Sequence, residues 1–240
     1  KQGVPGVFDA GNDEASAVIR KRAEEKQAPC YPVRPQQLKI KKITRKNIDF
    51  SFASRYDDVI PIEIPFVAEY QVMNMALAYQ ALMLLAPRFS LAREKILLAL
   101  RTVRWAGRMQ QVCPEVYFDG AHNTAGIEEF LKTVRQIGGK KPLLLFSMVK
   151  EKDYAAVVRM LSRTDWGGIV VTHIPDARGL SVAALQEEFE KNGKETVGIN
   201  DCRAAYDGVM QKKEPGQTVF CTGSLYLIGE LEKIAGGLKK

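Results

Sequence analysis

The second half of the sequence predicts an α/β fold with a doubly wound, mostly parallel sheet. From about residue 112, short apolar or β-branched runs alternate with segments of helical periodicity five times in succession. The helical segments also have suitable boundary residues, such as Ser181 at one start and Gly193 at the same helix's end. Five strand-then-helix units in a row imply parallel strands joined by helices that cover both faces of one sheet.

Each of the five predicted strands leads into a predicted helix. The strands lie at 116–119, 142–149, 167–174, 196–199 and 218–224. The helices lie at about 124–137, 153–164, 181–193, 202–213 and 225–235. The first helix has an inward apolar stripe formed by Ile127, Phe130, Leu131, Val134 and Ile137. Gly138 and Gly139 are predicted to end that helix, and Asp153 is predicted to cap the next one.

The first half has a different pattern, in which strands precede two consecutive helices. Strands are predicted at 39–44, 48–53 and 59–64, after a short strand near the start, and helices at 13–26, 69–86 and 91–103. Ala15, Val18 and Ile19 are predicted to face inward from the first helix, and Ser90 to cap the last. This order does not complete an α/β domain by itself.

We therefore expect two domains, with the break near Arg104–Arg108. Residues 1–104 would be the closing portion of one domain, and residues 105–240 would form the second domain. The chain opens with KQGVPGVFDAGN, without a methionine and in what looks like the middle of a domain. We expect a fragment of a longer protein.

The composition argues against several classes of protein. Charged residues make up 26% and apolar residues 46% of the 240 residues, which is the balance of a globular chain and not of a disordered one. The four cysteines are far apart and form no CxxC pair. This argues against a zinc site or a disulfide framework and predicts a cytoplasmic protein.

The net charge of +7 does not predict a nucleic-acid partner. The densest basic cluster, KIKKITRK at 39–46, has no interleaved aromatic residues for base stacking, so we interpret it as a solvated hairpin. A modest positive charge also suits an enzyme that handles nucleotides and carboxylated substrates. The most apolar long segment, 68–86, includes Glu69, Gln71 and Asn74, which favours a buried helix over a membrane span.

Three loops that follow predicted strands carry polar groups suited to a site. They are Asp119-Gly-Ala-His-Asn123, Lys150-Glu-Lys-Asp153 and Thr222-Gly-Ser224. Ligands of doubly wound folds bind at the carboxyl ends of the strands, so these loops would converge. A carboxylate, a lysine and a hydroxyl suit a ribose or an amino acid better than a metal, although two acids and a histidine would hold Mg²⁺ weakly.

A structural interpretation of the same residues stays open. An aspartate at a strand end often accepts hydrogen bonds from backbone amides, and Asn123 or Thr124 would make an ordinary helix cap. The run Gly138-Gly-Lys-Lys141 follows a helix and lacks the Gly-x-x-x-x-Gly-Lys-Ser/Thr spacing, so it is not a phosphate loop. The residues alone therefore indicate a domain that binds a nucleotide or an amino acid.

Five stretches in order resemble folylpolyglutamate synthase/dihydrofolate synthase, a member of the Mur ligase superfamily. They are EYQVMNMALAYQAL (69–82), WAGRMQQV (105–112), FDGAHNTAGI (118–127), FSMVKEKD (146–153) and FCTGSLYLIGEL (220–231). The resemblance implies a Rossmann-like C-terminal glutamate-ligase domain preceded by the end of a P-loop ATPase-type central domain. It implies ATP-dependent amide ligation, in which a folate or dihydropteroate carboxylate becomes an acyl phosphate and then reacts with L-glutamate.

The resemblance also implies a role for each matching residue. Asn74 would contact adenine and Asp119 the ribose. Arg108 would contact the ATP phosphates, and His122 would lie near the phosphates and the acyl intermediate. Lys152 and Ser224 would hold carboxylates of the incoming glutamate. Of these residues, His122, Arg108 and Lys152 would be catalytic.

The sequence departs from the family pattern at a few positions. Ala106 replaces a proline, Thr124 replaces a proline, and Ala68 stands where the family has glycine. The family's phosphate loop and Mg²⁺ ligands have no counterpart in the 240 residues, so we expect this chain alone to be inactive. We also expect a monomeric parent enzyme, whereas the fragment would tend to self-associate through uncovered strand edges and helix faces.

Two alternatives stay open at this point. One is a UDP-muramoyl amino-acid ligase of the same superfamily, although the Thr-Gly-Ser-Leu-Tyr ending favours the folate branch. The other is a non-catalytic α/β module that binds a nucleotide or an amino acid.

Overall fold

Two units, Lys1–Arg104 and Trp105–Lys240, make up the computed structural model, which describes residues 1–237. The first unit, all of which is described, contains five strands and three α-helices. In chain order they are β1 (Gly6–Asp9), α1 (Asp13–Glu25), β2 (Cys30–Val33), β3 (Leu38–Ile43), β4 (Ile48–Phe52), β5 (Ile60–Ile64), α2 (Tyr70–Phe89) and α3 (Arg93–Thr102). β1 and β2 form a parallel pair, and β3, β4 and β5 form an antiparallel sheet. The sequence did not predict β2.

The core of the first unit lies between the antiparallel sheet and helices α2 and α3. Ile60, Ile62 and Ile64 of β5 are buried, whereas Pro61 and Glu63 between them are exposed, which confirms the predicted alternation. β3 and β4 form the predicted hairpin, and the lysines of β3 face solvent. The basic cluster is therefore a solvated strand.

The predicted inward face of α1 is wrong. Val18 is 66% exposed and Ile19 is 38% exposed, and Ala15 is exposed as well. The helix instead turns Ser16 inward, where its hydroxyl donates to the Asn12 carbonyl at 2.6 Å. Its apolar residues are few, so the choice of buried face is not determined by the apolar pattern.

The predicted role of Ser90 as the cap of α3 is also wrong. Ser90 instead ends α2 in a left-handed conformation, with φ of 51°, and its N–H donates to the Ala86 carbonyl. α2 passes Pro87 and ends at Phe89, so Ala92 occupies the position before α3 without a side-chain cap. No helix within residues 1–237, α2 included, is both long enough and apolar enough to cross a membrane.

The second unit contains a six-stranded sheet with helices on both faces. Its elements are β6 (Gln110–Cys113), β7 (Val116–Phe118), α4 (Thr124–Ile137), β8 (Leu143–Phe146), α5 (Tyr154–Leu161), β9 (Gly168–Thr172), α6 (Val182–Lys191), β10 (Val197–Ile199), α7 (Cys202–Lys212), β11 (Val219–Thr222) and α8 (Leu225–Gly237). The strand order is β10-β9-β8-β11-β7-β6. The five predicted strands are parallel, and β6 is an additional antiparallel edge strand.

Aromatic and aliphatic side chains fill both faces of this sheet. On one face, β11 packs against α7 and α8 through a cluster that includes Cys221 and Leu231. On the other face, Phe220 lies against Phe130 of α4, with ring centroids 5.7 Å apart. Phe146 lies against Phe189 of α6 at the same distance. The structure therefore confirms the doubly wound arrangement.

Four helices of the second unit begin with a side-chain cap just beyond a strand. The capping oxygens of Asn123, Asp153, Ser181 and Asp201 accept from backbone N–H groups at 2.8, 3.0, 3.2 and 2.7 Å. The caps predicted at Asp153 and Ser181 are confirmed. Because parallel strands end at the same edge, these helix starts gather at the carboxyl edge of the sheet.

Gly223 joins β11 to α8 in a conformation that other residues rarely adopt, with φ of 113°. A Cβ atom there would lie 2.3 Å from the Ser147 carbonyl oxygen. We expect Gly223→Ala to lower the unfolding free energy by about 3 kcal/mol or more, because strain and a backbone clash add. Urea unfolding followed by tryptophan fluorescence checks this, since both tryptophans lie in the second unit.

Gly216→Ala is the matched control for this prediction. Gly216 also has a positive φ, 79°, but a Cβ atom there would meet nothing within 4 Å. Its substitution should cost only about 1 kcal/mol, the cost of the left-handed conformation alone. Equal losses in the two variants would show that the clash with Ser147 is absent.

Candidate active site

Three segments meet at the carboxyl edge of the sheet in the second unit. They are the stretch before β6, the turn after β7 and the loop after β11. A Cβ atom on Gly120 would lie 2.2 Å from Cδ2 of Leu225, and one on Gly107 would lie 3.4 Å from the same atom. Leu225 therefore packs over both glycines and brings the three segments into contact.

Asp119 is the buried centre of this junction, with 3% of its surface exposed. One carboxylate oxygen accepts from the Met109 N–H at 2.8 Å, and the other accepts from the Ala121 N–H at 2.8 Å. Burial raises the pKa of Asp119 to about 6, against the opposing effects of the two amides and of Arg108 and His122. The carboxylate thus fixes both segments at once.

The chain around Arg108 is held on both sides by backbone contacts. Gly107 and Met109 both have left-handed conformations, with φ of 67° and 46°. The Gly107 carbonyl accepts from the Gly120 N–H at 2.8 Å, while Met109 donates to Asp119. The half-buried Arg108 guanidinium is close enough for its charge to favour the ionised form of Asp119. Arg108 is therefore a cation with a fixed backbone beside a carboxylate.

His122 has a defined tautomer in its neutral form. Its Nδ1 lies 2.8 Å from the Gly120 carbonyl oxygen, which is an acceptor, so Nδ1 carries the proton. In this half-buried ring, Nε2 therefore carries the free lone pair. That nitrogen can accept a hydrogen bond or a proton from a ligand.

The structure confirms the backbone hydrogen bonds and the helix cap that the structural interpretation of this turn predicts. Asp119 bonds backbone amides, and Asn123 caps α4 by accepting from the Gly126 N–H. These contacts do not exclude a ligand, because each oxygen of Asp119 keeps a second lone pair. The contact between Asp119 and a ribose stays a prediction.

The two residues predicted to hold carboxylates differ in their surroundings. Ser224 is 2% exposed, and its hydroxyl oxygen accepts from the Tyr226 N–H at 3.1 Å at the start of α8. The Lys152 side chain is exposed in the loop between β8 and α5. Both lie at the carboxyl edge, and their roles stay predictions.

Asn74 belongs to the first unit. It is exposed on α2, and its Nδ2 donates to the Gln71 side-chain oxygen at 2.9 Å. Gln71 is buried, so it holds the Asn74 amide in one orientation. The predicted contact with adenine stays a prediction.

The loop after β9 was not among the three predicted site loops. Arg178 in this loop makes two 2.9 Å hydrogen bonds to Asp176, and its guanidinium lies 4.3 Å from the ring centroid of Tyr226. The Arg178 guanidinium holds the pKa of Asp176 well below its usual range. The Asp-Ala-Arg spacing after a strand was the available signal. The partner Tyr226 is distant in sequence, so the contact itself had no local signal.

Metal ligands are not grouped in the described part of the chain. Within residues 1–237, no three His, Cys, Asp or Glu side chains lie close enough together to hold an ion. The donors at the carboxyl edge are mostly amides, cations and hydroxyls, which suit anions and sugar hydroxyls.

The raised pKa of Asp119 predicts a pH-dependent stability. Between pH 4 and 6 the folded chain keeps a proton on Asp119 that the unfolded chain releases. The protonated Asp119 side chain contributes to the free energy of unfolding below pH 4, and this contribution is lost as the pH rises through about 6. We therefore expect the stability advantage of the wild type over Asp119→Asn to shrink by about 2–3 kcal/mol between pH 4 and 7.

Urea midpoints followed by tryptophan fluorescence across this pH range measure the effect. Asp201→Asn, at an exposed cap, controls for a carboxylate-to-amide change that leaves Asp119 in place. A wild-type advantage that stays constant from pH 4 to 7 would contradict the prediction.

Comparisons with known proteins show what the chain is similar to. Residues 107–225 match the family described as Mur ligase, glutamate ligase domain. The dihydrofolate synthase/folylpolyglutamate synthase of Bacillus subtilis is 27% identical over 239 residues, which cover 97% of this chain and 55% of that protein. The chain spans about half the length of the curated relatives it matches.

Solved structures show the same fold. The folylpolyglutamate synthase of Thermotoga maritima aligns with a TM-score of 0.81 at 21% identity, over 98% of this chain and 55% of that chain. The Mycobacterium tuberculosis folylpolyglutamate synthase complexed with ADP aligns with a TM-score of 0.79 at 20% identity, over 96% of this chain and 55% of that one.

The resemblance drawn from the five motifs is confirmed by these matches. The family match covers the stretch around Arg108, the turn of Asp119 and His122, and the Thr-Gly-Ser loop. Residues 107–225 therefore form a Mur ligase glutamate ligase domain, and the chain is similar to folylpolyglutamate and dihydrofolate synthases.

Proposed function

We propose that this chain forms the glutamate-ligase part of an enzyme that adds L-glutamate to the γ-carboxylate of folate at the expense of ATP. The arrangement at the carboxyl edge carries the proposal: the backbone of Arg108 is fixed by the Asp119 junction, and the Thr-Gly-Ser loop lies beside that junction. The relatives that match the chain have this activity in their names. Dihydropteroate would be a second acceptor if the enzyme also makes dihydrofolate.

The reaction has two balanced steps. A carboxylate oxygen of the folate attacks the γ-phosphorus of ATP. The bond from that phosphorus to the bridging oxygen breaks, so ADP leaves and an acyl phosphate forms. The amino nitrogen of L-glutamate then attacks the acyl carbon, phosphate leaves, and the nitrogen loses a proton as the amide forms. Negative charge builds up on phosphate oxygens in both steps, so fixed cations at the phosphates stabilise the transition states.

The residues of the second unit fit this chemistry. Arg108 offers a permanent, fork-shaped cation to the phosphates. His122 offers Nε2, as either acceptor or proton carrier, because its Nδ1 is committed to the Gly120 carbonyl. Asp119 would contribute a lone pair to a ribose hydroxyl, and Lys152 and Ser224 would hold the carboxylates of L-glutamate.

The first unit has a predicted nucleotide contact of its own. We propose that residues 1–104 are the closing portion of a central ATP-binding domain, with Asn74 presenting its amide to adenine. The neighbour from M. tuberculosis is complexed with ADP, which supports a nucleotide as ligand. Within residues 1–237, no three His, Cys, Asp or Glu side chains lie close enough together to hold Mg²⁺.

The remaining proposals concern the environment of the enzyme. None of the four cysteines, all of which the structure describes, forms a disulfide bond, which supports a cytoplasmic location. We also propose that the enzyme is a monomer whose partners are small molecules, and that it binds neither nucleic acid nor a membrane. The matched relatives favour the folate branch over a UDP-muramoyl ligase.

We expect the 240-residue chain alone to bind ATP·Mg²⁺ with a millimolar or weaker dissociation constant. Two or three charge-assisted hydrogen bonds contribute about 1.5–3 kcal/mol each, and association costs about 4–15 kcal/mol. The sequence has no phosphate-loop motif to add to them. Isothermal titration measures this, with Arg108→Gln expected to abolish any signal. Micromolar binding would contradict the prediction.

Ligase activity is tested by fusing this chain to the part of the B. subtilis relative that it does not match. We expect the folded fusion to transfer radiolabelled L-glutamate to tetrahydrofolate when ATP is present. Arg108→Ala should reduce the rate by about 100-fold or more, since it removes a cation from the phosphates. Arg135→Ala, at the far end of α4, should retain the rate.

Two outcomes would contradict the proposed function. Transfer to a UDP-muramoyl acceptor instead of tetrahydrofolate would support the cell-wall alternative. A folded fusion that transfers glutamate to neither acceptor would support a non-catalytic module.

A further inference from the structure

The loop after β9 carries an arginine that the proposed function does not use. The Arg178 side chain is 45% exposed. Gly179 pairs with Val149 just after β8, and the Lys150 N–H donates to the Arg178 carbonyl at 2.8 Å. The backbone of this loop is therefore fixed against the chain that leaves β8.

Asp176 and Tyr226 hold the guanidinium of Arg178 in one orientation. Its Nε and Nη2 atoms donate to the two oxygens of Asp176, each at 2.9 Å. Its central carbon lies 4.3 Å from the ring centroid of Tyr226 in the first turn of α8. The Tyr226 N–H in turn donates to the Ser224 hydroxyl. A fixed cation therefore lies beside the Thr-Gly-Ser loop.

We propose that Arg178 binds a carboxylate of the incoming L-glutamate and so helps to select an acidic amino acid. This inference rests on the proposed function and adds a residue to its amino-acid subsite. L-Glutamate brings two carboxylates, and Lys152 and Ser224 supply one ammonium and one hydroxyl for them. A guanidinium matches the geometry of a carboxylate with paired N–H donors, and it keeps its charge at every relevant pH.

The contacts of Arg178 leave it able to bind a ligand. The bonds to Asp176 use the Nε–Nη2 edge, and a guanidinium has five N–H donors in all. Lys150 adds a second positive charge at this loop, since its Nζ donates to the Ala177 carbonyl at 3.0 Å. Both side chains are largely exposed, so an anion can reach them.

A purely structural role for Arg178 makes a different prediction. If the contacts of Arg178 with Asp176 and Tyr226 only brace the loop, substitution of Arg178 and substitution of Asp176 should weaken ligand binding to a similar degree. If Arg178 binds the ligand, Asp176 competes with the ligand for the guanidinium. Asp176→Asn keeps an oxygen for the Arg178 backbone N–H but removes the competing charge. It should therefore preserve or tighten binding.

The test is an NMR titration of the isotope-labelled 240-residue chain with L-glutamate. We expect saturable shifts at the amides of Arg178 and Tyr226. Arg178→Met should raise the dissociation constant by about 10- to 100-fold, the range for a charge-assisted hydrogen bond. Asp176→Asn should leave it unchanged or lower it. Arg135→Met is the matched control and should leave it unchanged.

Amide analogues identify the carboxylate that Arg178 binds. L-Glutamine lacks the side-chain carboxylate, and L-isoglutamine lacks the α-carboxylate. One of the two should bind the wild type and Arg178→Met equally, which a bracing role does not predict. γ-L-Glutamyl-L-glutamate serves as a probe of the folate tail. Arg178-dependent binding of this dipeptide without binding of free L-glutamate would overturn the assignment to the incoming amino acid.

Other outcomes also overturn the inference. They are an unchanged dissociation constant in Arg178→Met, an equal loss in Asp176→Asn and Arg178→Met, or no shifts at the reporter amides up to the solubility limit of L-glutamate. Ligation by the fused protein together with any of these results would leave the proposed function in place. Arg178-dependent binding without ligation would instead remove the proposed function and keep the amino-acid site.

Discussion

The carboxyl edge of the sheet is organised around one buried carboxylate. Asp119 accepts from the amides of Met109 and Ala121, and so it joins the stretch before β6 to the turn after β7. Burial of a charge is unfavourable, and it raises the pKa of Asp119. The two amides offset part of this cost and leave the carboxylate one geometry. Arg108 and His122 lie on the two segments that this geometry positions.

The parts of the fold with local signals could be predicted from the sequence. Strand-then-helix alternation predicts the parallel sheet of the second unit, and single residues such as Asp153 and Ser181 predict helix starts. Asn123 was expected as a cap on the same basis, and the structure confirms it. These signals lie within one turn of the chain, where hydrogen-bonding chemistry acts without reference to the rest of the fold.

The features that were not predicted correctly depend on contacts between residues that are distant in the sequence. β6 has no apolar alternation and exists because it pairs with β7. α1 has two apolar residues on a face that the first unit does not bury, so Val18 stays exposed. The partners of Asp119 and Arg178 could not be predicted either, since Met109 and Tyr226 approach them only through the sheet. Motif resemblance supplied the predicted site residues, but it did not predict these contacts.

The candidate site combines a rigid side and an adaptable side. The side chains of Asp119 and His122 are hydrogen-bonded to backbone groups and are therefore fixed in place. Fixed polar groups suit the stabilisation of charge during the proposed phosphoryl transfer. The Lys152 cation is exposed on a long side chain, which can form bonds to a small ligand after it arrives. Arg178 is exposed as well, but Asp176 and Tyr226 already hold its guanidinium in one orientation. Under the proposed function, the preorganised side would serve the nucleotide, and the amino-acid side would combine one fixed cation with one movable cation.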